Sequence, residues 1–446
     1  MKIKILFASL LAIMLVACSD LSSGVTVKIR LEGESVRVPA KLEVNDTTYV
    51  VELNSRGSGE FHLQGNEGYA ILDYNACLLP LYIDDDDFTV SLFVKGNSMR
   101  PSFSGKGAKK NFYMSNSRRV TPSYELEESD FIAQLKGNMA KAEERLDEMN
   151  FDKEFATIEK ARIRYDYLGT LPGYPVYHSM QTSHNDSLSE EYYSELQGLL
   201  QGGRAEYLGM PEFKNALMVA VNRMALRGIS RTDTSAFLVA QLELIKSNIA
   251  DQKVASKIAS AMAIRYIEDR GIDGLIDYEP LCDALITDET DKSEFDQAVA
   301  KWQVITKGCD APGFGGLTDK NGKPLELKNY AGKYVYVLCW LAASDSSLEQ
   351  MKSLQSVIKR YSKEPIAFIS IAGDGSAQYW DKVVANNKFK GVQSLAGANR
   401  EFLNAMSVLL FPRAILIGPD GKIVAPVAPL PSSPKLGELL DSQLNG

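Results

Sequence analysis

Ser344 and Ser347 stand three residues apart, just after an apolar run that ends in Cys339-Trp340. A serine acts as a nucleophile only beside a base. The three histidines, His62, His178 and His184, all lie far upstream, and no lysine base is evident near the serines. A serine-nucleophile pair is therefore not expected. Of the five cysteines, Cys18 follows an apolar N-terminal run. The other four, Cys77, Cys282, Cys309 and Cys339, allow three pairings and include no C-x-x-C spacing. A chain of 446 residues does not depend on disulfide staples. His178 and His184 have no third ligand at metal spacing, so a surface or loop role is expected for both rather than zinc. Asp84 to Asp87 could attract a hard cation, but without the Gly or Asn of a calcium loop the run reads as a solvated hairpin connection. No metal or cofactor is expected.

The N-terminus has its own logic. Met1, Lys2 and Lys4 give a positive start, and Ile5 to Val16 form a short apolar run. Spanning a bilayer takes ~20 apolar residues, so residues 1–17 read as a secretory signal. Leu15-Val16-Ala17-Cys18 resembles a lipobox. That resemblance implies cleavage before Cys18 and thioether lipidation of it. The alternative is a plain secretory peptide with an incidental cysteine. The expectation is a cell-envelope protein held by lipid at Cys18, at the outer membrane facing the periplasm. That compartment is oxidising. The net charge of −8, from 49 basic and 57 acidic residues, shows no basic patch and argues against nucleic acid as a partner.

These residues must be carried by several domains. Residues 18–24 are small and polar and suit a tether. From Val25 the pattern has period two: Val25, Val27, Ile29 and Leu31, then Leu42, Val44, Tyr49, Val51 and Leu53 around the turn pair Asn45-Asp46. Turns at about every eight to twelve residues suggest a β-sandwich over residues 25–120. Residues 121–304 read as helical. Phe131, Leu135, Met139 and Leu146 follow a 3.6 period in Glu128–Met149, and a second helix is expected over Phe151–Leu168. Further helices are expected at about 189–201, 211–227, 234–250, 253–269 and 290–306. Leu171-Pro172-Gly173-Tyr174-Pro175 reads as a loop, and Tyr165, Tyr167, Tyr192 and Tyr193 as packing residues.

From Gly308 the pattern changes to strand, helix, strand and a final β-hairpin. Strands are expected at Tyr334–Trp340, Ile366–Ile371, Ala414–Ile417 and Ile423–Val427, and helices at Leu348–Tyr361 and Tyr379–Ala385. Asn321-Gly322 signals a hairpin. The ordered motifs resemble the thioredoxin-like family, in its membrane-tethered envelope branch related to cytochrome-maturation and alkyl-hydroperoxide-reductase-like proteins. Gly308 to Phe314 matches the family's Gly-x-x-Ala-Pro-x-Phe opening. Asn321 to Lys323, Gly332 to Val335, Trp340, Phe411-Pro412 and Pro419 to Val424 match later motifs. The resemblance covers residues ~305–440, and it places a thioredoxin-like α/β domain at 305–446. The family's redox cysteines fall on Ser344 and Ser347. A low-pKa cysteine at a helix start attacks a disulfide and a second cysteine resolves the mixed disulfide, but serines cannot cycle two electrons. Pro412 matches the family's cis-proline, which presents backbone to an extended substrate. Its role here could be fold maintenance alone or residual peptide binding. Cys339, in the strand, is expected to be buried and inert. Cys309 could pair with Cys282. The order of β-region, helices and thioredoxin-like domain also resembles many Bacteroidota envelope lipoproteins.

The expected fold class is thus α+β multidomain, and three functions remain in order. The first is a lipid-anchored, redox-inactive protein that binds peptides or proteins at the thioredoxin-like site. The second is a thiol-disulfide oxidoreductase using a non-standard cysteine such as Cys309 or Cys339. The third is a structural or glycan-binding envelope component acting through the sandwich.

Overall fold

The computed structural model describes residues 24–33, 38–45, 47–65, 68–95, 98–184, 187–229 and 234–445. The expected signal segment, Cys18 and Asp46 lie outside the described residues. The chain divides into two compact units with the break between Met224 and Ala225. It falls inside the stretch read from sequence as one helical block.

The first unit begins with two four-stranded sheets. One has the order β4 (Ser58–Leu63), β1 (Val25–Glu32), β7 (Phe88–Lys95), β8 (Ser98–Gly105). The other has the order β3 (Thr47–Val51), β2 (Ala40–Val44), β5 (Gly68–Tyr74), β6 (Cys77–Ile83). Alternation makes each strand two-faced: Val27 and Ile29 of β1, Leu42 and Val44 of β2, and Val90 and Leu92 of β7 all enter one apolar cluster shared by both sheets. Asp84–Asp87 forms the β6–β7 connection. Asp84 pairs with Lys110 at 2.9 Å, and Asp87 accepts from the Thr26 amide at 2.7 Å.

Helices follow: α1 (Ala108–Asn116), α2 (Glu128–Glu148), α3 (Lys153–Leu168), α4 (Tyr174–Thr182), α5 (Glu190–Gln201) and α6 (Pro211–Ala225). Helix α1 was not expected, because its sequence is mostly polar. It is held by Asn111, whose side chain bonds both the amide and the carbonyl of Tyr82 on β6. The expected loop at Leu171–Pro175 is instead a 3-10 turn leading straight into α4. Both prolines sit in first-turn positions, where a missing N–H does no harm. His178 therefore corrects the surface expectation. It is 3% exposed, stacked on Tyr174, with Nδ1 2.7 Å from the Tyr124 carbonyl. His184 is exposed. Tyr165, Tyr167 and Tyr192 are buried packing residues.

The second unit opens with α7 (Thr234–Asn248), α8 (Gln252–Arg270), α9 (Leu275–Leu285) and α10 (Glu289–Gln303). Helix α9 was missed from sequence because Pro280 interrupts it. A five-stranded sheet follows, in the order β11 (Val392–Leu395), β10 (Ile366–Ala372), β9 (Tyr334–Trp340), β12 (Arg413–Ile417), β13 (Ile423–Ala428). Its helices are α11 (Asp345–Arg360), α12 (Ala377–Asn387), α13 (Glu401–Ala405) and α14 (Pro434–Leu444). Strand β9 is central, parallel to β10 and antiparallel to β12, and is buried from Val335 to Trp340. The expected hairpin at Asn321-Gly322 is present in a short form: Asp319 N donates to the Lys323 carbonyl and Leu325 N to the Leu317 carbonyl, each at 2.8 Å. Asp319 caps the amides of Asn321 and Lys323, and a single Thr318–Pro324 bridge closes it. Cys282 and Cys309 do not pair: both carry free thiols, Cys282 buried and Cys309 half-buried.

Candidate functional site

The site lies where β9 ends. In open α/β sheets the crevice beyond the carboxyl ends of the parallel strands is the usual place for a ligand. The chain leaves β9 at Trp340, turns through Leu341–Ala343 and enters α11 at Ser344. Ser344 is the N-cap. Its Oγ accepts from the Ser347 amide at 3.4 Å and lies 3.0 Å from Ser346 Oγ. Serine is a preferred cap because its oxygen satisfies a first-turn amide. Ser347 is fully buried, and its Oγ has no hydrogen-bond partner among the described residues. Asp345 adds an exposed carboxylate to the first turn, where the helix dipole favours negative charge.

A second loop, which follows β10, holds this turn in place. The Gly373 amide donates to the Trp340 carbonyl at 2.9 Å. The Asp374 carboxylate accepts from the Ala342 amide at 2.7 Å and from the Ala343 amide at 3.4 Å. Arg400 donates to the Gly373 carbonyl at 3.1 Å, and its guanidinium lies 5.8 Å from the Phe411 ring centre.

The third component is the segment before β12. The Phe411–Pro412 bond is cis. Both residues are half-buried, and Leu409 and Leu410 just before them are exposed. In the β9–β12 register Arg413 pairs with Cys339. Pro412 therefore sits at the same end of the sheet as the Leu341–Ser344 turn. Gly373 touches both: a Cβ there would lie 2.7 Å from Phe411 and 3.4 Å from Leu341. The structure thus brings the turn that leads to Ser344 and the residue before Pro412 together at Gly373-Asp374.

Cys339 does not join them chemically. It is fully buried, and burial pushes its thiol up to about 12, against a weaker opposing pull from Arg413 and Arg400. A thiol so protonated is no nucleophile near neutral pH. Cys282 is likewise pushed up by burial, to about 12. Cys309 is half-buried, its Sγ 3.6 Å from the Gln303 carbonyl. No histidine lies in the unit that carries Ser344.

Arg413 is a feature that sequence reasoning missed. It is 4% exposed. Its Nε donates to the Pro426 carbonyl and its Nη1 to the Glu268 carbonyl, each at 3.3 Å, and the guanidinium lies 4.8 Å from the Trp302 ring centre. Its Nη2 has no hydrogen-bond partner among the described residues, and burial lowers the guanidinium to about 10. Glu268 lies near the C-terminus of α8, where the helix dipole is negative. The cis-proline strand is thereby tied to α8 and α10. The only sequence signal was an arginine opening an otherwise apolar strand. Gly373, Asp374 and Arg400 carried none beyond a Gly-Asp-Gly turn after an apolar strand.

Comparison with known proteins bears on this geometry. Residues 332–423 match a protein-family model described as thioredoxin-like. The thiol-disulfide oxidoreductase ResA of Bacillus subtilis is 28% identical over 126 residues, which is 27% of this chain and 67% of that protein. Its Bacillus cereus counterpart is 24% identical over 141 residues, 32% of this chain and 80% of that protein. Among solved structures, the thioredoxin domain of a thiol-disulfide oxidoreductase of Bacteroides vulgatus is 24% identical. That match covers 32% of this chain and 99% of the other, with a TM-score of 0.29.

Proposed function

We propose that this chain, whose C-terminal segment is a thioredoxin-like domain, binds an extended polypeptide at the Pro412 face and carries out no thiol exchange at positions 344 and 347. One observation carries the reading: the helix start after the central strand holds Ser344 and Ser347, while the segment that leads into β12, with exposed Leu409 and Leu410, lies at the same end of the sheet. Serine oxygens cannot form a disulfide, so the two-electron step has no carrier there. Exposed Leu409 and Leu410 offer apolar contact, and extended peptides add main-chain hydrogen bonds to such contacts. The same reading anchors the chain through lipid at Cys18, at the outer membrane facing the periplasm. It also takes the two N-terminal sheets as a sandwich.

A second reading is thiol-disulfide exchange through Cys309. It is favoured by the half-buried thiol there and by the activity in the relatives' names.

A disulfide-reductase assay separates the two, run on the full chain beside Ser344→Cys/Ser347→Cys. The expected result is no turnover in the wild type and a gain in the double variant. Wild-type turnover abolished by Cys309→Ser would establish the second reading. Binding is read from the amides of Phe411 and Arg413, whose resonances should move on titration with an unfolded polypeptide.

A further inference from the structure

The start of α11 is an electropositive helix end of a sixteen-residue helix, and such ends attract anions. In this chain the end is already supplied from within. The Asp374 carboxylate takes the amides of Ala342 and Ala343, which directly precede the cap. Ser344 Oγ takes the amide of Ser347. Asp345 places a second carboxylate in the first turn.

The other charged groups around the turn are few. Helix α11 adds Glu349 and Lys352, both exposed. Arg400, before α13, is engaged with the Gly373 carbonyl and Phe411. Arg413, on β12, is engaged with Glu268, Pro426 and Trp302. The nearest fixed charge on the Ala342–Ser344 turn is therefore negative. A further anion there would meet like charge.

We propose that Asp374 is a positioning carboxylate that acts as a built-in anion at the start of α11, so that the site is set against a thiolate at position 344 and against acidic ligands. This rests on the non-redox reading above and deepens it. The lack of thiol exchange would then involve Asp374, in the loop after β10, as well as the two serines, and the polypeptide bound would be neutral or basic where it meets the turn.

The test uses the full chain with Ser344→Cys, alone and combined with Asp374→Asn. Iodoacetamide alkylation of the introduced thiol is followed against pH by peptide mass spectrometry, which separates it from the native cysteines. With Asp374 present, the thiol should titrate at or above the free-thiol value of ~8.5. Asp374→Asn should lower that by about one unit, so that alkylation near neutral pH speeds up about tenfold. Coincident profiles in two folded proteins would overturn the proposal. So would a thiol that already titrates within ~3.5–7.5 with Asp374 in place. If Asp374→Asn does not fold, the single variant decides by the second criterion. Wild-type disulfide turnover through another cysteine would sink the binding reading and leave these profiles as they are.

Discussion

Gly373 has no room for a side chain because the Phe411 ring occupies the space: an added Cβ would sit 2.7 Å from Cζ. This contact locks the loop after β10 against the residue that precedes Pro412. Gly373→Ala should force the ring to shift and destabilise the second unit by about 1–3 kcal/mol, as overpacking does. Urea unfolding measures the loss, and proton resonances of the Phe411 ring report the displacement. An unchanged ring would show that the contact is slack.

Cys339 should make the second unit sensitive to alkali. Its folded value of about 12 lies above the ~8.5 of an unfolded thiol. The folded state thus holds this proton more tightly. The associated stability is complete below about pH 8.5 and drains away as pH climbs toward 12. Cys339→Val, close in volume, should show a shallower fall in urea midpoint between about pH 9 and 11. Buried Tyr336 contributes the same alkaline trend to both proteins, so the difference isolates the thiol.

Arg413 offers a comparison of charge with packing. Its guanidinium is buried, feels the Asp269 carboxylate only as a weak charge, and has Nη2 unpartnered among the described residues. Arg413→Met removes the desolvated charge, the two carbonyl bonds and the ring contact together, so stability should change by less than about 1 kcal/mol. Trp302→Ala, by contrast, empties a fully buried site and should cost about 3–5 kcal/mol. Equal losses from both would mean that the two carbonyl bonds outweigh desolvation.

In the first unit, Glu159 is fully buried and accepts two bonds from Arg162, each at 2.7 Å, and one from the Tyr69 hydroxyl at 2.7 Å. Arg162 also reaches Glu212 at 2.8 Å. Glu159→Gln removes one charge of a buried pair and should cost about 3–5 kcal/mol. Calorimetry would read this as a lower midpoint for the first unit.

A reductase assay extends the proposed function. Ser344→Cys/Ser347→Cys should turn over slowly, and adding Asp374→Asn should raise its rate by about tenfold if thiolate fraction limits it. No gain would argue that another step is limiting.

Much of this protein could be read in the residues alone. Period-two alternation around Val27, Ile29 and Leu42 marked strands that do bury those side chains. The apolar run Tyr334–Trp340 is the central strand. Local signals of this kind depend only on neighbours a few positions away, so they survive without a fold. The thioredoxin-like character of the C-terminal segment was legible for the same reason, as an ordered set of short motifs. Tertiary structure decided what depends on distant partners. His178 is buried because Tyr174 and Tyr124 meet it. Helix α1 forms because Asn111 finds the backbone of Tyr82. Asp374 caps a turn more than thirty residues away, and Arg413 docks on α8. No periodicity announces such bonds, because the stabilising partner is supplied by chain folding and not by sequence proximity.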